Sequence, residues 1–372
     1  RVFWDKTVRE LYGNKDPVEI PEVLSCVEKR DLVHRMNLSA FSDAGEYLFK
    51  HAILRDVTYE TVLLGIRKRY HGLVACCLQK YSADRISEFA SLITDHYEGA
   101  EEWSNAIEWL LRSGKAAKNT SAYREALSRF RRALEAPDEF LDRALFAQLH
   151  FECGSCLEKL CSYDEAREEL EKAIAIADQL DLHGVAAESL LVLCWIMLIT
   201  GKQSGAAGVA QKAFCRAEES GDNSIIARAY MRLADFEEED SYEKKIPYYR
   251  KAYLIYKESR DERGLAISLL NMGNIALNYD HRDEAGNYYL ESLSLYKKTG
   301  NRWGIANCLG NLGCVASAGK EYKKACNFYR ESLDASISIG DREGEVLCNM
   351  NLAEAALAHD DRAAVILQRT GD

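Results

Sequence analysis

The stretch Leu265–Gly300, LAISLLNMGNIALNYDHRDEAGNYYLESLSLYKKTG, reads as two helices joined by a polar turn. Leu269, Met272, Gly273 and Ala276 share one face at helical spacing. Twelve residues after Gly273 a second face begins with Ala285 and continues through Tyr289 and Ser292. The next unit repeats the pattern with Leu309, Leu312, Gly313 and Ala316, then Ala325, Tyr329 and Ser332. Extending the comparison outward, a small residue recurs at Gly114, Gly154, Cys194, Ala234, Gly273, Gly313 and Ala353. The interval is constant except between Ala234 and Gly273, where it is shorter by one. A fixed period in the range of roughly 20–50 residues marks a repeat array, in which each unit stacks on its neighbours.

The earlier units follow the same offsets. Gly114 precedes Ala126, Phe130 and Ala133; Gly154 precedes Ala166, Leu170 and Ala173; Cys194 precedes Ala206, Ala210 and Ala213. Small residues let two antiparallel helices approach closely, and large ones fill the gaps between them. The strings LCSYDEA, YDHRDEA and GKEYKKA are the turns inside a pair, and TGNRWG and IGDREG separate one pair from the next. Gly300 and Gly340 are expected to stop helices in a left-handed conformation, with Asn301 and Asp341 capping the helices that follow. The unit of Ala234 is one residue short and carries Lys245 or Ile246 where alanine is expected, which predicts a distorted turn.

These offsets resemble the tetratricopeptide repeat over about residues 86–368, with units of about 40 residues where the family's usual unit has about 34. The strings CLGNLGCVA and LLNMGNIAL are similar to the first helix of the Leu-Gly-Asn repeat adaptors. The resemblance implies an all-α, right-handed superhelix of about seven helix pairs, the last of them frayed. It also places the face bearing Asn271, Asn311 and Asn351, which recur with the same period, on the concave groove. An asparagine row offers donors and acceptors to an extended peptide backbone. Asn274 adds a contact, and Arg228 and Arg232, one turn apart, share a face suited to a carboxylate. The alternative is that these polar side chains bridge neighbouring helices.

The segment 1–85 does not join the period. VFWDKTVREL and EIPEVLSCVEKRDLV read as amphipathic helices, GEYLFKHAI as a short strand pair, and LRDVTYETVLLGIRKRYHGLVACCLQ as a helix. This predicts a small winged-helix-like module over 1–85 followed by a helical solenoid over 86–372. The string EYLFKHAILRDVTYETVLLGIRKRYHGLVA, with RVFW near the start, resembles the junction between the winged helix and the repeats in STAND-class signalling ATPases. That resemblance implies an ATPase domain upstream in a longer parent, a start at Arg1 that is a cut rather than a beginning, and a nucleotide-sensing role for His51. The family's Met-His-Asp is here Lys50-His51-Ala52. The alternative for His51 is a satisfied residue at a domain junction.

Composition narrows the function classes. The 372 residues are 47% hydrophobic with only four prolines, which suits long helices in a folded chain. The net charge is −11, and the segment 1–85 holds 14 Lys+Arg against 12 Asp+Glu, so the acidic excess lies in the array. An acidic array repels phosphate backbones, which argues against nucleic acid as its partner. The twelve cysteines are scattered, and no apolar run is long enough to span a membrane, which points to reduced thiols and a cytoplasmic location. Cys153-Gly-Ser-Cys156 is a CxxC motif whose members occupy packing positions of a repeat helix, so core thiols are expected rather than redox chemistry. The basic run Ile66–Gly72, the acidic string FEEED at 236–240 and the tyrosines 248, 249, 253 and 256 read as solvated faces and packing. No GxxxxGK(S/T) motif and no metal-ligand spacing occur, so no enzyme, cofactor or metal is expected of this stretch itself. The function expected is protein or peptide binding by a sensor arm of a STAND-type regulator. A passive scaffold is the second reading, and a DNA-binding regulator acting through the first module is the third.

Overall fold

In the computed structural model the described residues, all except 1, 13–18, 42, 83–84, 202–204, 238–240 and 370–372, form eighteen α-helices and one three-stranded sheet. The chain divides into two compact units, Arg1–Ile176 and Ala177–Asp372.

The first unit opens with β1 (Val2–Trp4), α1 (Asp5–Tyr12), α2 (Glu19–Lys29), β2 (Val33–Arg35) and β3 (Glu46–Phe49). The sheet is antiparallel in the order β1-β3-β2, with Phe3 opposite Tyr47 and His34 opposite Leu48. Three expectations are corrected here. Val2–Trp4 is a strand rather than the start of a helix, the helix expected to reach Val33 stops at Lys29, and the strand expected to pair within residues 45–53 pairs instead with segments on its N-terminal side. Trp4 is the reason for the first correction. Its indole is buried against Phe41 and Phe89 and its Nε1 donates to Glu46 Oε2 at 3.0 Å, so the sheet is anchored by a tertiary contact.

Two helices follow, α3 (Ala52–Thr61) and α4 (Leu64–Ser82). The single helix expected here breaks at Val62, whose backbone turns extended at φ −79° and ψ 130°. Next come α5 (Ile86–Gly99), α6 (Trp103–Asn119), α7 (Tyr123–Leu134), α8 (Arg143–Lys159) and α9 (Tyr163–Gln179). One core of Trp4, Phe41, Ala75, Leu78, Phe89, Ile93 and Trp109 runs from the sheet into α4–α6.

The second unit contains α10 (His183–Ile199), α11 (Ala206–Ser220), α12 (Asn223–Asp235), α13 (Tyr242–Glu258), α14 (Glu262–Asn278), α15 (Arg282–Thr299), α16 (Arg302–Ala318), α17 (Tyr322–Ile339) and α18 (Arg342–Arg369). The pairing rule is visible in the small residues. A side-chain carbon added at Gly273 or Gly313 would meet the ring of Tyr289 or Tyr329 at 2.5 Å, and at Gly114 in the first unit it would meet Phe130 at 2.5 Å. The ring sits sixteen residues after the glycine in each case and is buried. The unit of Ala234 keeps the register by burying Ile246 in the alanine slot, and Tyr249 and Tyr256 pack in the core as expected. Part of the acidic string, residues 238–240, lies outside the described residues.

Helix ends also repeat. Gly300 and Gly340 both stand at φ +69°, and Asn301 and Asp341 accept from the amides of Gly304 and Gly344 at 2.9 and 3.0 Å. Inside the pairs the left-handed residue is seven positions after the small one: Ser121, Cys161, Gly201, Asp280 and Lys320. The seventh unit departs from expectation, because α18 runs unbroken through the equivalent position, residue 360, and supplies one helix rather than a pair.

Gly273→Ala should therefore lower stability to urea by about 1–3 kcal/mol through overpacking against Tyr289. Gly286→Ala, where the nearest atom is 3.9 Å away in mid-helix, should be neutral or raise stability by up to about 1 kcal/mol. Equal effects at the two sites would contradict the packing rule.

Candidate functional site

In the second unit the first helices of successive pairs touch directly, α10 with α12, α14 with α16 and α16 with α18. The predicted polar residues lie along these contacts. Arg228 on α12 forms an ion pair with Glu188 on α10. Arg232 pairs with Asp235 of its own helix and lies over the Trp195 ring of α10 at 4.9 Å. Tyr249 donates to Asp235 Oδ1 at 2.9 Å, and burial followed by the Asp235 charge pushes its ionisation well above the usual phenol range. The two arginines are thus already neutralised by carboxylates.

One repeat further on the chemistry changes from charge to amide. Asn271 Nδ2 reaches Met231 Sδ at 3.5 Å, linking α14 to α12. Asn311 Nδ2 donates to Asn274 Oδ1 at 2.9 Å, linking α16 to α14, and the Tyr289 hydroxyl donates to the same oxygen at 2.9 Å. An amide oxygen has two lone pairs, so these bonds saturate the Asn274 carbonyl and leave its NH₂ group as the available polar handle. Asn351 occupies the matching place on α18 and is half-buried. The structure brings Arg228 to Glu188 and Asn274 to Asn311 in contacts that run from first helix to first helix, and Asn274 to Tyr289 within its own pair. His51 stands apart, exposed at the start of α3, where its side chain caps nothing.

The sequence reading missed the apolar members of this face. Ile267, Trp303 and Leu347 are exposed on α14, α16 and α18, each one or two turns before the amide of its helix. The signal was present at four and eight positions before Asn271, Asn311 and Asn351, but large apolar residues in a helix read first as core.

Other candidate chemistry is inert. Cys153 and Cys156 are fully buried, and burial pushes their thiols up to about 12 and about 11. At neutral pH neither is a thiolate, the form that reacts. A thiol reagent should label Cys26, Cys76, Cys161 and Cys215, which are exposed, in the native chain and reach Cys153 and Cys156 only on unfolding. Mass mapping that finds the latter pair labelled first would contradict this placement. Among the described residues no group of three His, Cys, Asp or Glu side chains could hold a metal ion, and no helix is long and apolar enough to cross a membrane.

One titratable chain does stand out in the first unit. The Tyr59 hydroxyl lies 2.9 Å from His71 Nε2, and His71 Nδ1 lies 2.9 Å from His96 Nδ1, joining α3, α4 and α5. Burial, and then the neighbouring His71, lower the His96 imidazole to about 4. His96 is therefore neutral in the fold, while the unfolded chain takes up its proton near the ordinary value of about 6.5. Stability should fall by roughly 2–3 kcal/mol as pH drops from about 6.5 to about 4, and His96→Gln should flatten that slope in a denaturation series. An unchanged slope in the variant would contradict the assignment.

Residues 265–338 match the tetratricopeptide repeat family. No curated protein matches the chain. Among solved structures, a Rap protein complexed with Competence and Sporulation Factor is 12% identical with a TM-score of 0.52, over 94% of each chain. The apo form of the quorum sensor NprR from B. thuringiensis is 16% identical with a TM-score of 0.51, over 81% of each chain. A signal transduction ATPase with numerous domains (STAND) that carries a tetratricopeptide repeat sensor, from Pyrococcus horikoshii, is 13% identical with a TM-score of 0.50. All of this chain aligns with 63% of that one. The likeness is one of fold: an all-helical array of tetratricopeptide type.

Proposed function

We propose that the chain is a non-enzymatic, peptide- or protein-binding tetratricopeptide arm of a larger STAND-type ATPase regulator in the cytoplasm. The ligand is taken on the first-helix face that carries Arg228, Arg232, Asn271, Asn274, Asn311 and Asn351. The observation that carries this reading is the mixed character of that face, with a row of amides beside the exposed side chains Ile267, Trp303 and Leu347. An extended peptide presents one donor and one acceptor per residue, which amides match, and its side chains need apolar ground. Covering one large apolar side chain contributes about 1.5–3 kcal/mol. Because Glu188 and Asp235 already neutralise the arginines, a ligand carboxylate has to displace them, and an uncharged apolar peptide fits better than an acidic one. Two structures that share the fold support the reading: one holds Competence and Sporulation Factor and the other is a quorum sensor.

The regulatory half of the reading rests on module order. A sheet ordered β1-β3-β2, with two helices between its first two strands, supports a winged-helix-like module over residues 1–85. The Pyrococcus horikoshii STAND protein matches the whole of this chain. On this reading the ATPase domain of the parent lies upstream and His51 meets its nucleotide. Ligand binding shifts the segment 86–100, which packs between α4 and α6. The passive-scaffold reading lacks only that last step, and removing residues 86–372 from the parent separates the two. An unchanged ATPase or effector output leaves the scaffold. The DNA-binding reading draws less support, since α2 carries Glu19, Glu22 and Glu28 against Lys29.

Peptides selected from a random library on the purified chain should bind about 10-fold more weakly to Trp303→Ala, a loss of about 1.4 kcal/mol, at an unchanged melting temperature. Selected peptides that bind Trp303→Ala and Asn311→Ala as well as the parent chain would exclude this face.

A further inference from the structure

Two positions of each first helix flank the small residue that sets the period. The one two places before it is Arg112, Glu152, Val192, Arg232, Asn271, Asn311 and Asn351 in successive units. The one just after it is Lys115, Ser155, Trp195, Asp235, Asn274, Cys314 and Glu354. Charged, amide, hydroxyl or thiol groups fill both positions everywhere except on α10, which carries Val192 and Trp195. Stacking does not require this pair, since the other units stack without it. Both side chains are half-buried, and Ile199, one turn beyond Trp195, is 41% exposed. The face therefore has an apolar spot on α10 that breaks the repeat's own rule.

The neighbouring helix finishes the spot with an arginine whose charge is already answered. The Arg232 guanidinium of α12 lies over the Trp195 ring at 4.9 Å and pairs with Asp235. Asp235 is held in turn by the hydroxyl of Tyr249 on α13, whose side chain belongs to the core. This relay from core to face fixes the plane of the guanidinium and reduces the ordering cost of a contact made on it. What remains open is a flat, weakly hydrated surface, with 28% of the Arg232 side chain exposed. A ligand carboxylate would have to displace Asp235, and an ammonium group would meet a fixed cation. An aliphatic side chain gains burial alone, whereas an aromatic ring gains burial and stacking on the guanidinium. Buried Trp and Arg side chains are also the commonest carriers of binding energy at interfaces. We infer that Val192, Trp195, Ile199 and Arg232 form a corner that selects one aromatic side chain of the bound peptide. Asp235 and Tyr249 are positioning residues for it. The inference rests on the peptide-binding reading above and names one contact within it.

Peptides selected from a random library on the 372-residue chain should share an aromatic residue at one position. Fluorescence anisotropy should show that replacing it with leucine weakens binding about 10-fold to the parent chain and less than about 2-fold to Arg232→Lys, which keeps the charge and loses the plane. Tyr249→Phe should narrow the aromatic-over-leucine preference while the loss caused by Trp303→Ala stays the same, a split that general destabilisation would not produce. Helical circular dichroism should be retained in both variants. Peptides that depend on Trp303 but share no aromatic residue would overturn the inference and leave the binding face standing, as would an equal leucine penalty on the parent chain and on Arg232→Lys. A chain that selects no peptide would overturn both.

Discussion

The stacking of this protein depends on the small residue at one position of each first helix, which is glycine in four of them. Where Gly273 and Gly313 stand, the ring of Tyr289 or Tyr329 occupies the space that even a methyl group would need. That contact fixes the depth to which the second helix seats and therefore the register of everything outward of it. Repeating it from unit to unit makes a stack with no single centre, so interactions between adjacent first helices recur at the same interval. The pairing of Asn274 with Asn311, and of Arg228 with Glu188, follows from this register rather than causing it.

The period was legible in the sequence because every unit reuses one interface and so needs the same residue sizes at the same offsets. Gly300 and Gly340 were legible as helix stops for a similar reason, since φ near +69° suits glycine. The equivalent stops at Cys161, Arg260 and Lys320 were not. A left-handed residue other than glycine costs about 1–2 kcal/mol, which the stack tolerates, and the residue type then says nothing about the conformation. The strand at Val2–Trp4 was hidden because three residues carry no period, and its partner Glu46–Phe49 lies far along the chain, beyond two intervening helices. The long run of α18 was hidden because His359-Asp360-Asp361-Arg362 reads like the polar turns of the earlier pairs.

The candidate site divides along the same line. Its amide row repeats with the period and so could be read directly. Its apolar members, Ile267, Trp303 and Leu347, could not be separated from core residues without knowing which side of each helix a neighbour covers. The carboxylates that neutralise the arginines are likewise a tertiary matter: Glu188 comes from the preceding pair. The result is a face graded from paired charge on α10 and α12 to amide and apolar character on α14, α16 and α18. On the proposed reading, such a face would discriminate among peptides by what a ligand carries along its length rather than by one anchoring charge.

Adjacent first helices in register are the premise for the proposed binding face. The most direct measurement replaces the hydrogen-bonded amides with thiols, as Asn274→Cys together with Asn311→Cys. With 2.9 Å between the native amide groups, a short bifunctional thiol reagent should join the two cysteines, recovered as one cross-linked peptide pair by mass spectrometry with the helical signal intact. Two thiols each modified singly and never joined, in a chain that remains folded, would show that these helices do not meet as described.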